Sequence, residues 1–227
     1  MKTTEVPSRR EEGKIDYCMM NDLPALVWAA NRADLELHTF VHRAPRITRP
    51  TALAFDLDPG PPADMVQCCR VGLWLRAIFD ELGLQSFPKT SGSKGLQIFV
   101  PLNTARTYDK TKAFAQALAQ RLEREHQGEV VSRMQKALRK GKVLIDGSQN
   151  DEHKTTVNVY SLRAKAQPTV STPVTWAEVE AVAKQGEGSR LVFESEAALK
   201  RVEKHGDLFA PLLSLKQRLP SLRAIAT

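Results

Sequence analysis

The chain has 227 residues, enough for one large domain or two small ones, and its content of 42% hydrophobic and 26% charged residues is ordinary for a globular protein. It has three cysteines and no CxxC pair, which argues against a disulfide framework or a structural zinc site and favours a reducing cytoplasm. The sequence has no apolar run suited to a secretory signal or a membrane helix, so neither is expected. The formal net charge of +7 weakly favours a polyanionic partner.

Along the chain, residues 1–14 are predicted to be a flexible polar segment, and residues 15–227 to form a single domain. Helices are predicted where apolar residues recur every three to four positions or follow a capping residue, over 21–31, 64–84, 108–126, 174–182, 196–204 and 208–218. Strands are predicted where apolar residues alternate with polar ones or form short runs, over 35–41, 51–58, 85–89, 96–102, 143–146 and 155–162. Because strands and helices do not alternate strictly, the pattern favours an α+β fold over a doubly wound sheet.

Two carboxylates lie at the end of the predicted strand 51–58. Asp56 and Asp58 are two positions apart, so they project from the same face of the strand with their Cα atoms roughly 7 Å apart. Pro59-Gly60 stops the strand directly after them. A divalent cation would relieve the repulsion between the two groups, and carboxylate oxygens suit Mg²⁺ or Mn²⁺. The alternative is a strand end followed by a solvated Asp-Pro-Gly turn.

A third carboxylate, Asp146, follows the apolar residues 143–145 in the way that Asp56 follows 53–55. A two-metal site needs several carboxylates from neighbouring strands to hold two ions about 3.5–4 Å apart. The three aspartates therefore form a candidate catalytic and metal-binding set. Asp146 could equally be a strand end in solvent, since its proximity to Asp56 cannot be derived from the sequence.

A segment rich in glycine, serine and lysine lies between the predicted strands 85–89 and 96–102. Its glycines permit tight turns, its hydroxyls can donate hydrogen bonds and its lysine offers a point charge for phosphate. The candidate phosphate-binding residues are Ser91, Gly92, Ser93, Lys94 and Gly95. The segment is not a Walker A loop, because it lacks that spacing and a following helix. The alternative is a plain β-hairpin turn with an exposed lysine.

Basic residues form two further groups. Lys154, Arg163 and Lys165 flank the predicted strand 155–162 and could hold triphosphate oxygens. The run 133–142 could contact a nucleic-acid backbone. Its candidate residues are Arg133, Lys136, Arg139 and Lys140. Either group could instead be a solvated basic face.

The order of these elements resembles one family: an acid pair, Ser-Gly-Ser-Lys-Gly, a third acid, a lysine and an arginine. The sequence is similar to the polymerase domain of bacterial DNA ligase D, a branch of the archaeo-eukaryotic primase superfamily. The resemblance spans about residues 14–215 and is carried by FDLDPG (55–60), FPKTSGSKGLQIFVPL (87–102), GKVLIDGSQNDEHKTT (141–156), YSLRAKAQPTVSTPVTW (160–176) and the upstream stretch 15–40. It implies a primase-polymerase-type catalytic core: a mostly antiparallel, strongly curved sheet flanked by helices, with the acids on its concave face.

By that resemblance, the three aspartates match the family's metal-binding residues and the segment 91–95 matches its triphosphate loop. Lys154 and Arg163 match basic residues that contact the phosphates of the incoming nucleotide. Family members add ribonucleotides or deoxyribonucleotides to DNA ends, prefer Mn²⁺ and work in non-homologous end joining with the Ku end-binding protein. The implied cofactors are two Mn²⁺ or Mg²⁺ ions. The implied partners are an NTP or dNTP, a DNA primer-template or DNA end, Ku and a separate ligase, in the bacterial cytoplasm at the nucleoid.

Two side chains and one length depart from the family pattern. Gln97 stands where the family has histidine, and glutamine cannot carry a positive charge. Lys165 stands where the family usually has arginine, which exchanges a bidentate fork for a point charge. The family domain also normally has a long segment before the part that matches Ile15, where it helps to form a pocket for a DNA 5′-phosphate and supports template binding.

The leading hypothesis is a minimal primase-polymerase-like nucleotidyltransferase, in which a primer 3′-hydroxyl attacks the α-phosphate of a bound nucleotide and pyrophosphate leaves. Asp56 and Asp58 would bridge both metals, and Asp146 would complete the catalytic one. The alternative is a weakened or inactive nucleotide- or nucleic-acid-binding module derived from the same family, which Gln97 and the short N-terminal part favour. A third hypothesis is an unrelated metal-dependent phosphohydrolase that uses the same acids.

Overall fold

The computed structural model describes residues 1–8 and 12–225. The strands, in chain order, are β1 (Thr3–Pro7), β2 (Lys14–Cys18), β3 (His38–Thr39), β4 (Ala52–Pro59), β5 (Phe87–Thr90), β6 (Leu96–Pro101), β7 (Val130–Val131), β8 (Val143–Asp146), β9 (Thr156–Val157), β10 (Leu162–Arg163) and β11 (Thr169–Val170). The helices are α1 (Leu23–Asn31), α2 (Met65–Glu81), α3 (Tyr108–Glu125), α4 (Trp176–Gln185), α5 (Ser195–His205) and α6 (Pro211–Ser214). In this part of the chain no helix is both long and apolar enough to cross a membrane.

The centre of the fold is a five-stranded sheet in the order β5–β6–β4–β8–β7. Three of its pairings are antiparallel and the edge pairing of β7 with β8 is parallel. Three two-stranded pairs lie outside it: β1 with β2, β3 with β9, and β10 with β11. The prediction of an α+β fold with a mostly antiparallel sheet is therefore confirmed.

The two faces of β4 explain where the core and the site lie. Leu53, Phe55 and Leu57 alternate along the strand, are no more than 1% exposed and belong to the large apolar core, together with side chains of α2, α3 and α4. Phe55 packs against Phe79 of α2 with 5.5 Å between ring centroids. Burial of each such side chain stabilises the fold by roughly 1.5–3 kcal/mol. The strand's period of two then turns Asp56 and its neighbours to the opposite face.

Side-chain caps fix the starts of the two helices that flank the sheet on its core side. Asp64 accepts a hydrogen bond from Val66 N at the start of α2 (2.7 Å), and its own N–H donates to Gln67. Thr175 and Glu178 form the same reciprocal arrangement at the start of α4. Such capping boxes satisfy two backbone donors that the helix itself leaves free. The predicted helices over 64–84 and 174–182 are confirmed within a few residues.

The prediction that residues 1–14 are a flexible polar segment is wrong for the part that the structure describes. Thr3–Pro7 forms β1, which pairs antiparallel with β2 from Thr3 opposite Cys18 to Pro7 opposite Lys14. β-Branched side chains favour an extended backbone, and Val6 is only 4% exposed. Residues 9–11 of the predicted segment, and 226–227 at the other end, lie outside the described residues.

Three further predicted elements are shorter than expected. Of the strand predicted over 35–41, only His38–Thr39 forms a ladder, which is antiparallel with β9. The strand predicted over 155–162 is split, since Tyr160 has a positive φ of 63° that an extended strand does not allow. The helix predicted over 208–218 is confined to α6. One side chain holds the chain here: Asn103 donates to the carbonyl of Leu212 within α6 and to that of Leu215 just after it, at 3.1 and 2.8 Å.

Candidate functional site

Four polar side chains form a row across the face of the sheet that lies opposite the large apolar core. Asp56 of β4 is paired with Asp146 of β8 on one side and with Gln97 of β6 on the other. Gln97 is in turn paired with Lys89 of β5. Directly paired residues of neighbouring strands project from the same face. The fold therefore brings together two of the three predicted acids, and Asp58 follows two positions along β4.

The surroundings of Asp56 shift the pKa of its carboxyl group. Burial raises the pKa of its carboxyl to about 6. A hydrogen bond from Gln97 and the charge of Lys89 oppose this shift, whereas the charges of Asp146 and Asp58 add to it. Asp56 is thus a buried carboxylate that lacks enough positive charge around it, which is the condition that a bound divalent cation relieves.

Asp58 is held by an arginine from the basic run. Its Oδ2 accepts from Arg139 Nη1 at 3.3 Å, and Nη2 of the same guanidinium donates to the Met134 carbonyl at 2.7 Å. Gly60, just after β4, allows this approach, because a Cβ there would stand 1.9 Å from the Arg139 carbonyl oxygen. In this conformation the negative charge of Asp58 is therefore paired with the positive charge of Arg139.

The three aspartates are chemically suited to bind a divalent cation, but their side chains would have to move closer together to hold one. In residues 1–8 and 12–225, no three His, Cys, Asp or Glu side chains converge closely enough to hold an ion. Three carboxylates on two adjacent strands nevertheless offer the oxygen ligands that Mg²⁺ and Mn²⁺ prefer. Release of Asp58 from Arg139 and a turn of the carboxylates toward each other are the changes that binding requires.

The predicted phosphate loop is a tight turn between β5 and β6. Ser91 Oγ accepts from the backbone N–H groups of Ser93 (3.2 Å) and Gly95 (3.1 Å), and Ser91 N donates to the Gly95 carbonyl (2.9 Å). A Cβ at Gly95 would stand 2.3 Å from the Leu57 carbonyl oxygen, so the glycine lets the turn lie against β4. Lys94 is exposed at the tip. The loop thus reaches the acids from the β6 side.

Gly92 and Arg163 join this turn to the β10–β11 hairpin. Gly92 has φ +66°, and a Cβ there would stand 2.7 Å from Arg163 Cγ and 2.8 Å from Ser171 N. Arg163 Nη1 donates to the Ser91 carbonyl at 2.8 Å, and its Nε lies 3.3 Å from Glu36 Oε1. Arg163 is therefore held beside the predicted phosphate loop.

The other predicted cations differ in their positions. Lys154 donates to Ser148 Oγ, and Ser148 N donates to Asp146 Oδ1 at 2.7 Å, so Lys154 is linked to the carboxylate row through one serine. Lys165 is exposed beyond β10. In the basic run, Arg133 pairs with Glu123 at 3.4 Å, while Lys136 and Lys140 are exposed.

Lys89 is a site residue that the sequence did not reveal. It is 1% exposed, and its Nζ donates to Ser171 Oγ at 2.5 Å and lies 5.8 Å from the centre of the Phe99 ring. Burial lowers the pKa of its ammonium to about 7, although Asp56 opposes that shift. The available signal was its position: a lysine two residues after Phe87 in a predicted strand points to the same face as Phe87.

Asn150 is a second residue that sequence reasoning missed. Its Oδ1 accepts from Ala54 N (3.0 Å), and its Nδ2 donates to the Ala54 carbonyl (2.8 Å) and to the Gly147 carbonyl (2.8 Å). The amide continues the pairing of β4 after β8 has ended. This contact anchors the turn that follows Asp146, and an asparagine within a polar loop gave no signal of it.

A cavity of about 200 Å³ opens beside the row. Its lining includes Lys89, Phe99 and Thr156, together with His42 and Phe209. Gln97 Nε2 donates to Thr156 Oγ1 at 3.1 Å, which ties the carboxylate row to the cavity wall. The arrangement combines clustered carboxylates, a glycine-containing turn with cations and an adjacent cavity with an apolar lining.

Three comparisons with known proteins, by family model, by sequence and by structure, point to the same family. The family model described as LigD, primase-polymerase domain, matches residues 1–209. This match begins at the first residue, whereas the resemblance noted above began near residue 14. The multifunctional non-homologous end joining protein LigD of Mycolicibacterium smegmatis is 38% identical over 204 residues, 89% of this chain and 26% of that protein. The multifunctional non-homologous end joining DNA repair protein LigD of Mycobacterium tuberculosis is 37% identical over 210 residues, 88% of this chain and 27% of that protein.

Among solved structures, the polymerase domain from Mycobacterium tuberculosis ligase D in complex with DNA matches with a TM-score of 0.85 and 34% identity, covering 95% of this chain and 75% of that one. The chain spans about a quarter of the length of the LigD proteins that it matches. Sequence and fold thus agree over almost all of the chain, and it belongs to the LigD primase-polymerase domain family.

Proposed function

We propose that the chain is a divalent-metal-dependent nucleotidyltransferase that adds NTP or dNTP to the 3′ end of a DNA or RNA strand. The observation that carries the proposal is the register that sets Asp56 opposite Asp146, with Asp58 two positions further along β4. Membership of the LigD primase-polymerase family supports the same reaction class.

In this proposal Asp56 and Asp58 would be shared ligands of two Mn²⁺ or Mg²⁺ ions, and Asp146 would complete the set for the catalytic ion. Such ions would supply a lowered pKa for the attacking 3′-hydroxyl and positive charge for the triphosphate and the leaving pyrophosphate. Ser148 N donates to the Asp146 carboxylate, and Asn150 anchors the turn after Asp146 to Ala54 of β4, so that this carboxylate is oriented before substrate binds.

The nucleotide's phosphates are assigned to the turn 91–95, to Arg163 beside it and to Lys154 at the Asp146 end of the row. Ser93 and Lys94 offer donors at the turn, and Arg163 is already oriented by Glu36 and the Ser91 carbonyl. Lys154 is linked to Asp146 through Ser148. Gln97 contributes a neutral amide in place of a charged donor. Lys165, with its flexible exposed stem, is assigned a weaker contact to the phosphates.

The biological setting that we propose follows the relatives, whose names place them in non-homologous end joining. The substrate is a DNA end or primer-template, with Ku and a separate ligase as partners at the bacterial nucleoid. Arg133, Lys136, Arg139 and Lys140 are assigned to the nucleic-acid backbone. Arg139 would reach it only after leaving Asp58.

Primer extension with Mn²⁺ tests the proposal. Wild type should add nucleotides to a labelled 3′ end, and Asp56→Ala/Asp58→Ala should lose that activity by at least about a hundredfold, because both bridging ligands are gone. Asp34→Ala/Asp109→Ala removes two exposed carboxylates outside the site and serves as the matched control. Extension that survives in the site variant would contradict the mechanism, and pyrophosphate release without extension would indicate a phosphohydrolase.

A second candidate is a weakened or inactive nucleotide-binding module of the same family. The ion pair of Asp58 with Arg139 favours it, because the pair opposes assembly of the metal site. The substitution Gln97→His distinguishes the two candidates. A gain in extension rate would identify a weakened enzyme, whereas nucleotide binding without turnover in both proteins would identify a binding module.

A further inference from the structure

An arginine-rich groove lies at the end of β4 away from the carboxylates. Its volume is about 480 Å³, and the residues that line it include no Asp or Glu. We call it the arginine groove and define it by its polar lining: Arg43, Arg46, Arg49, Thr51, Asn103 and Thr104.

The chain fold spaces the three arginines regularly. Arg46 N donates to the Arg43 carbonyl at 2.8 Å, and Arg49 N donates to the Arg46 carbonyl at 3.1 Å. Two successive turns therefore present one arginine every third residue, and all three side chains are exposed. The segment is a fixed loop with repeated guanidinium groups.

The base of the groove is joined to the central sheet. Thr51 N donates to the Val41 carbonyl at 2.7 Å, and the Thr51 carbonyl accepts from Leu102 N (2.8 Å) and Asn103 N (2.9 Å). These bonds connect the arginine loop to the start of β4 and the end of β6. The groove therefore holds a fixed position relative to Asp56, which lies on the same strand.

The charge of the groove is uncompensated. Arg43 Nη2 donates to the Leu213 carbonyl at 3.0 Å, and in the described part of the chain no carboxylate pairs with Arg43, Arg46 or Arg49. The basic run differs, because Arg133 and Arg139 there are paired with Glu123 and Asp58. Guanidinium groups match phosphate geometry with two parallel donors, and repeated cations attract a polyanion by counterion release.

Resting on the function proposed above, we propose that the arginine groove binds successive phosphates of the nucleic-acid backbone at a distance from the reacting 3′ end. Thr51 and Asp56 are five residues apart in an extended segment, which corresponds to roughly 17 Å. For a duplex that runs along β4, in which each strand rises about 3.4 Å per nucleotide, the contacted phosphates would lie about five nucleotides from the carboxylate row.

Fluorescence anisotropy with a labelled 20-base-pair DNA duplex bearing a 3′ overhang tests this site without requiring turnover. Arg43→Gln/Arg46→Gln/Arg49→Gln should bind at least about tenfold more weakly, and the slope of log affinity against log salt should decrease by about 2–3, as loss of three phosphate contacts predicts. Lys184→Gln/Lys200→Gln/Lys204→Gln removes the same charge from exposed positions on α4 and α5 and should bind within about twofold of wild type. Equal losses in both variants would overturn the proposal, because net charge alone would then explain binding.

Substrate length gives a second, independent readout. Hairpin DNAs with stems of four and twelve base pairs should differ in affinity for wild type and bind the arginine variant equally, since only the longer stem reaches the groove. A length effect that persists unchanged in the arginine variant would overturn the placement.

Two further measurements distinguish backbone binding at the arginine groove from free-nucleotide binding and from the proposed reaction. ATP affinity should be the same in wild type and the arginine variant; loss of ATP binding with normal DNA binding would show a free-nucleotide site and overturn the inference. Asp56→Ala/Asp58→Ala should retain the arginine-dependent DNA affinity. If wild type fails to extend a primer while that affinity remains, the proposed reaction fails and the backbone site stands.

Discussion

Asp56 of β4 and Asp146 of β8 face each other as a directly paired position of an antiparallel ladder, although 89 residues separate them in the chain. Such pairs have Cα atoms about 4.5–5.5 Å apart, and like charges there destabilise a sheet. A bound divalent cation would relieve this repulsion between the two carboxylates. The proposed metal chemistry follows from this pairing.

Asp146→Asn should stabilise the protein in EDTA and weaken its response to metal. The amide still accepts the bond from Ser148 N and removes one of two facing charges, so the free energy of unfolding at pH 8 should rise by about 0.5–1 kcal/mol. Adding Mn²⁺ should then stabilise wild type more than the variant, because ligands favour the state that binds them. Thermal melts with EDTA and with Mn²⁺ measure both effects. A variant that melts below wild type in EDTA would argue against repulsion at this pair.

Mn²⁺ affinity should fall steeply in acid. Asp56 has a pKa raised to about 6 by burial, so below that pH a proton competes with the metal for the carboxylate. The apparent dissociation constant should rise by about tenfold per pH unit below 6 and level off above it. Titrations followed by electron paramagnetic resonance of free Mn²⁺ from pH 5 to 8 measure this. A constant affinity across that range would show that Asp56 is not a ligand.

Lys89→Met should change how stability depends on pH. The folded protein holds the Lys89 pKa at about 7, below the ordinary value of 10.5, so between those values the unfolded chain binds more protons and stability rises with pH. The variant should lose this rise in stability between pH 7 and 9.5. At pH 7 its free energy of unfolding should be roughly 1–3 kcal/mol higher than that of wild type, because the buried ammonium group destabilises the folded protein there.

Urea unfolding at several pH values measures both effects. The exposed Lys94→Met is the matched control, and an unchanged slope in Lys89→Met would contradict the burial of a charged lysine.

Gly92→Ala should be more damaging than Gly83→Ala. Both glycines have positive φ, +66° and +67°, so alanine is strained at either. At Gly83 no atom lies within 4 Å of the added Cβ, and the cost should be about 1 kcal/mol. At Gly92 the Cβ meets Arg163 Cγ at 2.7 Å and the backbone N of Ser171 at 2.8 Å, so the cost should reach roughly 2–4 kcal/mol and nucleotide affinity should fall with it. Equal unfolding free energies would contradict the packing of the phosphate loop on Arg163.

The sequence predicted those parts of the fold that depend on local pattern. Alternation around Phe55 placed β4 and the face of that strand that carries Asp56, apolar periodicity placed the helix that begins after Asp64, and Thr175 marked the start of another helix through its side-chain cap. Local pattern failed at the N-terminal strand, where polar Thr3–Pro7 is stabilised by pairing with β2. It failed again at 208–218, where the Asn103 side chain from another segment holds the carbonyls of Leu212 and Leu215.

Several site contacts could not be predicted, because they join distant segments. The pairing of Glu36 with Arg163 and that of Asp58 with Arg139 span 127 and 81 residues, and neither has a counterpart in local spacing. The burial of Lys89 depends on Ser171 and on the neighbouring strand. The candidate residues themselves were accessible from motif order, whereas their partners required the folded chain.

In the proposed reaction the facing carboxylates Asp56 and Asp146 hold the metal for nucleotide addition. Mn²⁺-dependent addition of one nucleotide to a labelled primer, measured in a single turnover with wild type and Asp146→Asn, tests this role. Wild type should add the nucleotide, and the variant, which keeps the Ser148 contact and the fold, should be slower by at least about a hundredfold. Addition by Asp146→Asn at the wild-type rate would contradict it.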